Sequence, residues 1–262
     1  MTTFEGPPLA SLGGIGALTL GGFLEEVAAR FGPDEALVLD DSLRDGATVR
    51  WTYADLLAEA RGIGAGLLAL GVAPGERVGL LMGNRPEAVA ALFGIGLSGA
   101  VAVPMSTFAP RTELAHMLDV AAVGVVLAQE GMLGRSFLDD LVALQADRPT
   151  LRHLAVLGHP SWDDLRATRD APPFAPVTPD DDALVIFSSG TTSEPKGMLH
   201  GHRAPTLQFW VQAQIFGRHE ATRMFSALPL FWTAGLNTAM ELAGAIQAQG
   251  FDGLFPHGAV TA

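Results

Sequence analysis

The stretch that decides the fold is Trp51–Pro104, which reads WTYADLLAEARGIGAGLLALGVAPGERVGLLMGNRPEAVAALFGIGLSGAVAVP. Its apolar side chains first recur at helical spacing, which predicts an amphipathic helix from about Tyr53 to Leu70. Glycine and proline end that helix, and the apolar run VGLLM predicts a buried strand. Pro86 and Glu87 then suit the first turn of a second helix, and AVAVP predicts a second strand. Helices and short apolar strands thus alternate.

The alternation continues on the C-terminal side of this stretch. Helical patterns at Thr112–Val120 and at about Ser136–Gln145 each lead to a short apolar strand, GVVLA at Gly124–Ala128 and then HLAVLG. The sequence SWDD predicts a further helix start with Ser161 as its N-cap. Short apolar strands between amphipathic helices imply a parallel sheet that is covered on both faces. We therefore predict an α/β fold with doubly wound, mostly parallel sheets flanked by helices.

A segment rich in proline and aspartate, APPFAPVTPDDDA at Ala171–Ala183, is the best candidate for a boundary between subdomains. It also fits an ordinary long surface loop. We place a first α/β subdomain in residues 1–178 and the start of a second in residues 179–262. The second part is predicted to contain the strand ALVIF, a helix at about Thr206–Phe216, the strand MFSALPLF and a helix at about Leu236–Gln247.

Composition excludes several classes of protein. The net charge of −12 argues against a nucleic-acid-binding surface, which needs a basic face. Cysteine is absent, so there are no disulfides and no thiolate metal site. No basic segment precedes the uncharged N-terminal stretch, and the uncharged stretch Ala88–Pro110 is interrupted by glycines, so we expect neither a signal peptide nor a membrane span. These features favour a cytoplasmic protein.

The sequence FSSGTTSEPKG, at Phe187–Gly197, holds the only lysine of the chain, whereas the other 15 basic side chains are arginine. From Gly190 to Lys196 the spacing equals that of a Walker A loop, but Pro195 replaces the second glycine and cannot donate a hydrogen bond to phosphate. Five hydroxyl side chains and two glycines still indicate an anion-binding loop. A compact ammonium suits a mobile polyphosphate. The alternative is a solvated turn in which the lysine is accidental.

A longer run, FSSGTTSEPKGMLHGH, resembles the signature loop of the adenylate-forming superfamily, which includes acyl-CoA synthetases, 4-coumarate–CoA ligases, luciferases and peptide-synthetase adenylation domains. Ser193 stands where the superfamily usually has glycine. Trp51–Pro104 resembles the first long block of the superfamily, and LPLFWTAGL at Leu228–Leu236 resembles a third block. The similarity covers most of Thr48–Gly250.

The resemblance implies activation of a small-molecule carboxylic acid with ATP and Mg²⁺, followed by transfer of the acyl group to coenzyme A. It makes Lys196 the catalytic residue, which would follow the departing pyrophosphate. The residues that it implies for ATP and phosphate binding form one continuous run: Ser188, Ser189, Gly190, Thr191, Thr192, Ser193, Glu194, Pro195, Lys196 and Gly197. It implies no protein ligand to a metal ion within this chain.

The acyl-pocket candidates are His200, Trp232 and Gly235. Trp232 stands where many relatives carry histidine beside the acyl pocket, and an indole there suggests a hydrophobic acid, medium-chain or alicyclic. A core tryptophan that touches no substrate is an equal alternative. The segment STFAPRTEL, at Ser106–Leu114, resembles medium-chain and alicyclic acid–CoA ligases and favours the same acid class. A zinc site at His200 and His202 has little support, since no further ligand pattern accompanies them.

The sequence is thus identified as the N-terminal portion of the large domain of an adenylate-forming enzyme. Superfamily members carry further motifs and a small C-terminal domain with a second catalytic lysine, and neither is found in these residues. Because Lys196 is the sole lysine, we expect this chain by itself not to complete acyl-adenylate synthesis. The alternatives are an amino-acid adenylation domain and a non-catalytic nucleotide-binding module. The sequence does not specify the acid, the acceptor thiol or the oligomeric state.

Overall fold

A six-stranded sheet lies at the centre of the fold, which the computed structural model describes for residue 8 and for residues 15–41, 46–168, 171–188, 194–219 and 222–236. The strands, numbered along the chain, are β1 (Glu35–Asp41), β2 (Ala47–Thr52), β3 (Arg77–Leu81), β4 (Val101–Pro104), β5 (Val125–Gln129), β6 (Gly131–Met132), β7 (Arg135–Ser136), β8 (His153–Leu157), β9 (Asp182–Phe187) and β10 (Gly197–Gly201). The helices are α1 (Leu20–Phe31), α2 (Tyr53–Ala69), α3 (Pro86–Leu97), α4 (Arg111–Ala121), α5 (Phe137–Ala146), α6 (Pro160–Ala167) and α7 (Arg203–Ile215).

The strand order in the sheet is β10-β9-β4-β3-β5-β8, and only the β9–β10 pair is antiparallel. The chain passes from β3 through α3 to β4, and then crosses back through α4 to β5 on the other side of β3. Side chains of α1, α2, α3 and α6 form one core, and those of α4 and α5 form a second core with alternate residues of the same strands. The two cores show that helices cover both faces, which confirms the predicted doubly wound α/β fold.

The helices begin and end where local chemistry allows. A capping box starts α2, since the Thr52 hydroxyl accepts the Asp55 N–H (3.1 Å) and the Asp55 carboxylate accepts the Thr52 N–H (2.9 Å). Pro86 occupies the first turn of α3 with Glu87 beside it, as predicted. Every residue of α3 is buried between α2 and the sheet. Close packing there depends on Gly94, because a Cβ at that position would lie 2.6 Å from the Ala60 carbonyl oxygen.

A buried ion triad joins β1 to the start of α3. The Arg85 guanidinium donates to both carboxylate oxygens of Asp41 (3.2 and 2.9 Å) and to Glu87 (3.0 Å). Burial acts to lower the pKa of Arg85, but the hydrogen bond to Asp41 and the charge of Glu87 outweigh it, so that the pKa is raised. The triad therefore holds Arg85 as a cation and fixes the turn that follows β3.

The structure corrects two local predictions. Ser161 is not an N-cap, because α6 begins at Pro160 and the Ser161 hydroxyl instead accepts the Val156 N–H (3.1 Å). Residues 224–231 (MFSALPLF) form no strand, since they make no ladder of backbone hydrogen bonds with any described strand. The helix predicted at Leu236–Gln247 lies outside the described residues, apart from its first residue.

The sheet continues across the proposed subdomain boundary. Strand β9 lies beyond residue 178, yet it pairs with β4 in parallel, and β10 extends the same sheet. The division into residues 1–178 and 179–262 stays a prediction. None of the helices in the described ranges is both long and apolar enough to cross a membrane.

Candidate functional site

The candidate site is built on the carboxyl edge of the central sheet. Strands β3, β4 and β9 run parallel, so the residues that follow them lie at one edge: Asn84 after β3, Phe108 after β4 and Ser188 after β9. Ligands of open α/β sheets bind at this edge. The three segments to which the sequence assigned chemistry, FSSGTTSEPKG, STFAPRTEL and LPLFWTAGL, are attached here.

Ser188 and Lys196 close the hairpin between β9 and β10. The Ser188 N–H donates to the Lys196 carbonyl (3.0 Å), and the Lys196 N–H donates to the Ser188 hydroxyl (3.3 Å). Of the predicted phosphate-binding run, the structure describes Ser188 and the four residues from Glu194 to Gly197. The other five lie outside the described residues: Ser189, Gly190, Thr191, Thr192 and Ser193.

The side chain of Lys196 is exposed, and within the described ranges it forms no hydrogen bond or ion pair. Several arginines elsewhere on the surface are paired, such as Arg148 with Asp119 (2.8 Å) and Arg203 with Asp180 (2.7 Å). The nearest acid in sequence, Glu194, does not pair with Lys196 but faces His116. An ammonium without an internal partner can meet an anionic ligand without first breaking an ion pair.

His116, on α4, contacts the same segment and was missed by the sequence analysis. Its Nε2 atom lies 2.8 Å from the Pro195 carbonyl oxygen, and its Nδ1 atom lies 3.4 Å from a Glu194 carboxylate oxygen. The contact with Pro195 joins residues 79 positions apart, so it depends on the topology of the sheet rather than on a local pattern. The only signal in the sequence is a histidine within an otherwise apolar turn of a helix.

Asn84 holds the segment that resembles the third block. Its side-chain amide donates to the Leu228 carbonyl (2.8 Å) and accepts the Leu230 N–H (3.0 Å). These two bonds satisfy backbone groups that a neighbouring strand would otherwise satisfy. The sequence analysis assigned no role to Asn84.

An aromatic cluster forms where this segment meets the residues after β4. Phe108 lies 5.6 Å from Phe231 and 6.3 Å from Trp232, measured between ring centroids, and Phe231 lies 5.4 Å from Trp232. The rings meet edge to face, an arrangement that aromatic pairs favour. Phe231 is buried, but 46% of Trp232 and 59% of Phe108 remain exposed. The structure thus brings together the two segments that the sequence linked to a hydrophobic acid.

The other two acyl-pocket candidates occupy different positions. Gly235 is buried against the backbone at Leu228–Pro229, where a Cβ would overlap the Pro229 carbonyl oxygen. Close backbone approach therefore accounts for glycine at this position. His200 lies half-buried on β10 opposite Leu184.

His202 is the buried histidine at the turn from strand to helix. It is 0% exposed, and its Nδ1 atom accepts the Leu20 N–H (3.2 Å), which ties α1 to the start of α7. Burial lowers the pKa of His202, against the opposing charges of Asp181 and Asp182. Across the residues described, no cluster of three or more His, Asp or Glu side chains could hold a metal ion.

A cleft of about 910 Å³ lies on the other side of Asn84, between β1 and residues 222–226. Burial and the charge of Asp34 raise the pKa of Tyr53 in its wall to about 12. Neither Lys196 nor Trp232 lines this cleft. It is therefore separate from the groups that the sequence assigned to the site.

Comparisons with known proteins show the family of the chain. Residues 24–249 match the protein family described as AMP-binding enzyme. The long-chain-fatty-acid–CoA ligase FadD13 of Mycobacterium tuberculosis is 32% identical over 192 residues, which cover 73% of this chain and 38% of that protein. The salicyl-AMP ligase/salicyl-S-ArCP synthetase of the same organism is 37% identical over 183 residues, which cover 67% of this chain and 32% of that protein.

The fold is also shared with solved structures. The inhibitor-bound N-terminal domain of FACL13 from Mycobacterium tuberculosis superposes with a TM-score of 0.71 at 28% identity, covering 87% of this chain and 55% of that one. The chain spans about a third of the length of the curated relatives above.

Proposed function

Because the chain belongs to the AMP-binding enzyme family, we propose that it is the N-terminal portion of an ATP-dependent carboxylic acid–CoA ligase. In the first step of the proposed reaction, a carboxylate oxygen attacks the α-phosphorus of ATP. The bond from that phosphorus to its bridging oxygen breaks, and pyrophosphate leaves with the negative charge. In the second step the sulfur of coenzyme A attacks the acyl carbon, the bond from that carbon to the phosphate oxygen breaks, AMP leaves with the electron pair, and the thiol proton passes to solvent.

One observation carries the proposal: Lys196 has a fixed backbone and an exposed ammonium, unpaired among the residues that the structure describes, at the carboxyl edge of the sheet. Hydrogen bonds to Ser188 fix the backbone on both sides of its Cα atom. The first step places charge on the leaving pyrophosphate, and a cation there stabilises the transition state more than the ground state.

The described residues fit a nucleotide that carries its own Mg²⁺. Lys196 supplies a positive charge, and Ser188 supplies a hydroxyl, while Glu194 is turned away toward His116. Mg²⁺ commonly binds through substrate phosphates and waters rather than through an all-protein cage. When bound, the ion would neutralise phosphate charge, and the residues of this chain would orient the phosphate chain.

The aromatic cluster of Phe108, Phe231 and Trp232 supports a hydrophobic acid, which we propose to be fatty or alicyclic. Phe108 and Trp232 are partly exposed, and they offer apolar surface at the carboxyl edge of the sheet. Trp232 also argues against an amino-acid substrate, because an indole cannot pair with an ammonium group as a carboxylate does.

The test is calorimetric titration of the 262-residue chain with MgATP. Lys196→Ala is expected to weaken binding by about ten- to a hundredfold, since a hydrogen bond to a charged group contributes roughly 1.5–3 kcal/mol. Equal affinities would remove Lys196 from the phosphate site. A second titration, with a medium-chain acyl-adenylate analogue, tests the acid class. Equal affinity of wild type and Trp232→Ala in that titration would contradict a role for the aromatic cluster.

A further inference from the structure

We propose that His116, on α4, is a positioning residue that holds the backbone beside Lys196 and thereby aims the lysine side chain at the nucleotide phosphates. The inference rests on the proposed function for what Lys196 binds. It adds a group from outside the hairpin, 80 residues before the lysine in the sequence.

The peptide group between Pro195 and Lys196 is held at both of its polar atoms. Its carbonyl oxygen accepts from His116 Nε2 (2.8 Å), and its N–H donates to the Ser188 hydroxyl (3.3 Å). The next carbonyl, that of Lys196, accepts the Ser188 N–H (3.0 Å). Ser188 belongs to the hairpin itself, so among the described residues His116 is the one that joins this peptide to a different element.

The hydrogen bond from His116 to the Pro195 carbonyl matters because Pro195 has few other means of being held. Proline has no N–H, so the carbonyl oxygen is the only backbone polar group by which the residue can be held. A carbonyl oxygen accepts only, so His116 must carry a hydrogen on Nε2. The His116 side chain is 22% exposed, whereas that of Glu194 is 83% exposed. An ion pair with so exposed a carboxylate contributes little, which leaves the bond to Pro195 as the effective contact.

Helix α4 is a firm support for such a contact. Leu114, Met117 and Leu118, on either side of His116 in the sequence, are buried in the core on that face of the sheet. Arg135 donates to the Ala109 carbonyl just before the helix, and Arg148 pairs with Asp119 near its end (2.8 Å). A side chain on a packed helix holds a reactive group more precisely than a side chain on a free loop.

The first test repeats the MgATP titration with two variants of His116. His116→Ala removes the donor and is expected to weaken binding about fivefold, the effect of one hydrogen bond of roughly 1 kcal/mol. His116→Gln places an amide N–H near the position of Nε2 and is expected to restore affinity to within about twofold. His159→Ala is the matched control, since His159 also lies near a carboxylate, Glu130 (3.8 Å), and is expected to bind as the wild type does.

The second test needs no nucleotide. Hydrogen exchange of the Lys196 amide is expected to accelerate in His116→Ala and to stay near the wild-type rate in His116→Gln. An unchanged exchange rate in His116→Ala overturns the inference, whatever the titration gives. If Lys196→Ala loses affinity and His116→Ala does not, the proposed function stands and the inference fails. If neither variant loses affinity, the proposed phosphate site fails, and the exchange rates still decide whether His116 holds the backbone.

Discussion

The protonation of one side chain, His202, makes the stability of the folded chain depend on pH. The imidazole is 0% exposed, and burial lowers its pKa below the ordinary value of 6.5, so the folded chain holds it neutral. The unfolded chain takes up a proton near pH 6.5, and the folded chain takes it up only at lower pH. The unfolded state therefore binds more protons in the window below about pH 6.5, and stability falls there as the pH falls. Above that window His202 contributes no pH dependence.

We expect the free energy of unfolding to drop between pH 7.5 and 5.5 more steeply in the wild type than in His202→Asn. One proton changes stability by at most about 1.4 kcal/mol per pH unit. Asparagine does not titrate, and its carbonyl oxygen can still accept the Leu20 N–H that Nδ1 accepts now. Urea unfolding at the two pH values measures the difference, and parallel pH profiles for the two proteins would contradict the assignment.

Some residues of the candidate site could be predicted from the sequence, and others could not. Lys196 could be predicted because it is the only lysine and lies in a loop of hydroxyls and glycines. His116 and Asn84 could not, because their partners lie 79 residues away and 144 or 146 residues away, respectively. Such contacts are set by the order of strands in the sheet. Trp232 was predicted as a candidate, but its neighbour Phe108 becomes apparent only when the carboxyl ends of the strands are aligned.

At the scale of elements, helix α2 contains two glycines, Gly62 and Gly66, whose replacement by alanine separates the effect of close packing on stability from the effect of helix propensity. A Cβ at Gly66 would overlap the Leu165 carbonyl oxygen of α6 and lie 2.8 Å from its carbon, whereas a Cβ at Gly62 would have its nearest neighbour at 3.8 Å. Gly66→Ala is expected to destabilise the protein by about 1–3 kcal/mol through overpacking. Gly62→Ala is expected to stabilise it by roughly 0.4–1 kcal/mol, since alanine favours the helix.

Denaturant unfolding of both variants measures this contrast within one helix. The opposite signs are the diagnostic result, because helix propensity alone would stabilise both proteins. Stabilisation by both substitutions, to the same extent, would show that α2 and α6 do not approach as closely as described.

Helices and strands could be predicted where the sequence pattern that specifies them lies within the element itself. The helix predicted at Tyr53–Leu70 is observed at Tyr53–Ala69, because a threonine cap and the apolar spacing both lie within it. The strand predicted at residues 224–231 does not form, since a strand needs a neighbour that sequence pattern alone does not supply. Ser161 failed as an N-cap because Pro160, one residue earlier, already starts the helix.

At the scale of the whole molecule, the family and the doubly wound fold were predictable from three ordered blocks of sequence. Both are confirmed, by the match over residues 24–249 and by the central six-stranded sheet. The antiparallel β10 at the edge of that sheet was not predicted, because its five residues, GMLHG, begin and end with glycine and show neither an apolar run nor an alternation.

The 262 residues by themselves are expected to bind MgATP without releasing pyrophosphate when a carboxylic acid is added. The resemblance assigns the approach of the carboxylate to the α-phosphate to a second lysine, and Lys196 is the only lysine here. A pyrophosphate-release assay over a panel of fatty, alicyclic and aromatic acids measures this, with a complete relative as positive control. Turnover with any acid would show that the described site suffices for adenylation.

The exposed Lys196 makes the hairpin a natural cleavage reporter. A protease that cuts only after lysine has one susceptible peptide bond in the entire chain, that between Lys196 and Gly197. Digestion therefore yields two fragments from one event, and its rate is read from the loss of a single band on a gel. The cleavage rate at this single bond therefore measures whether a bound molecule covers the loop, without labels or engineered residues.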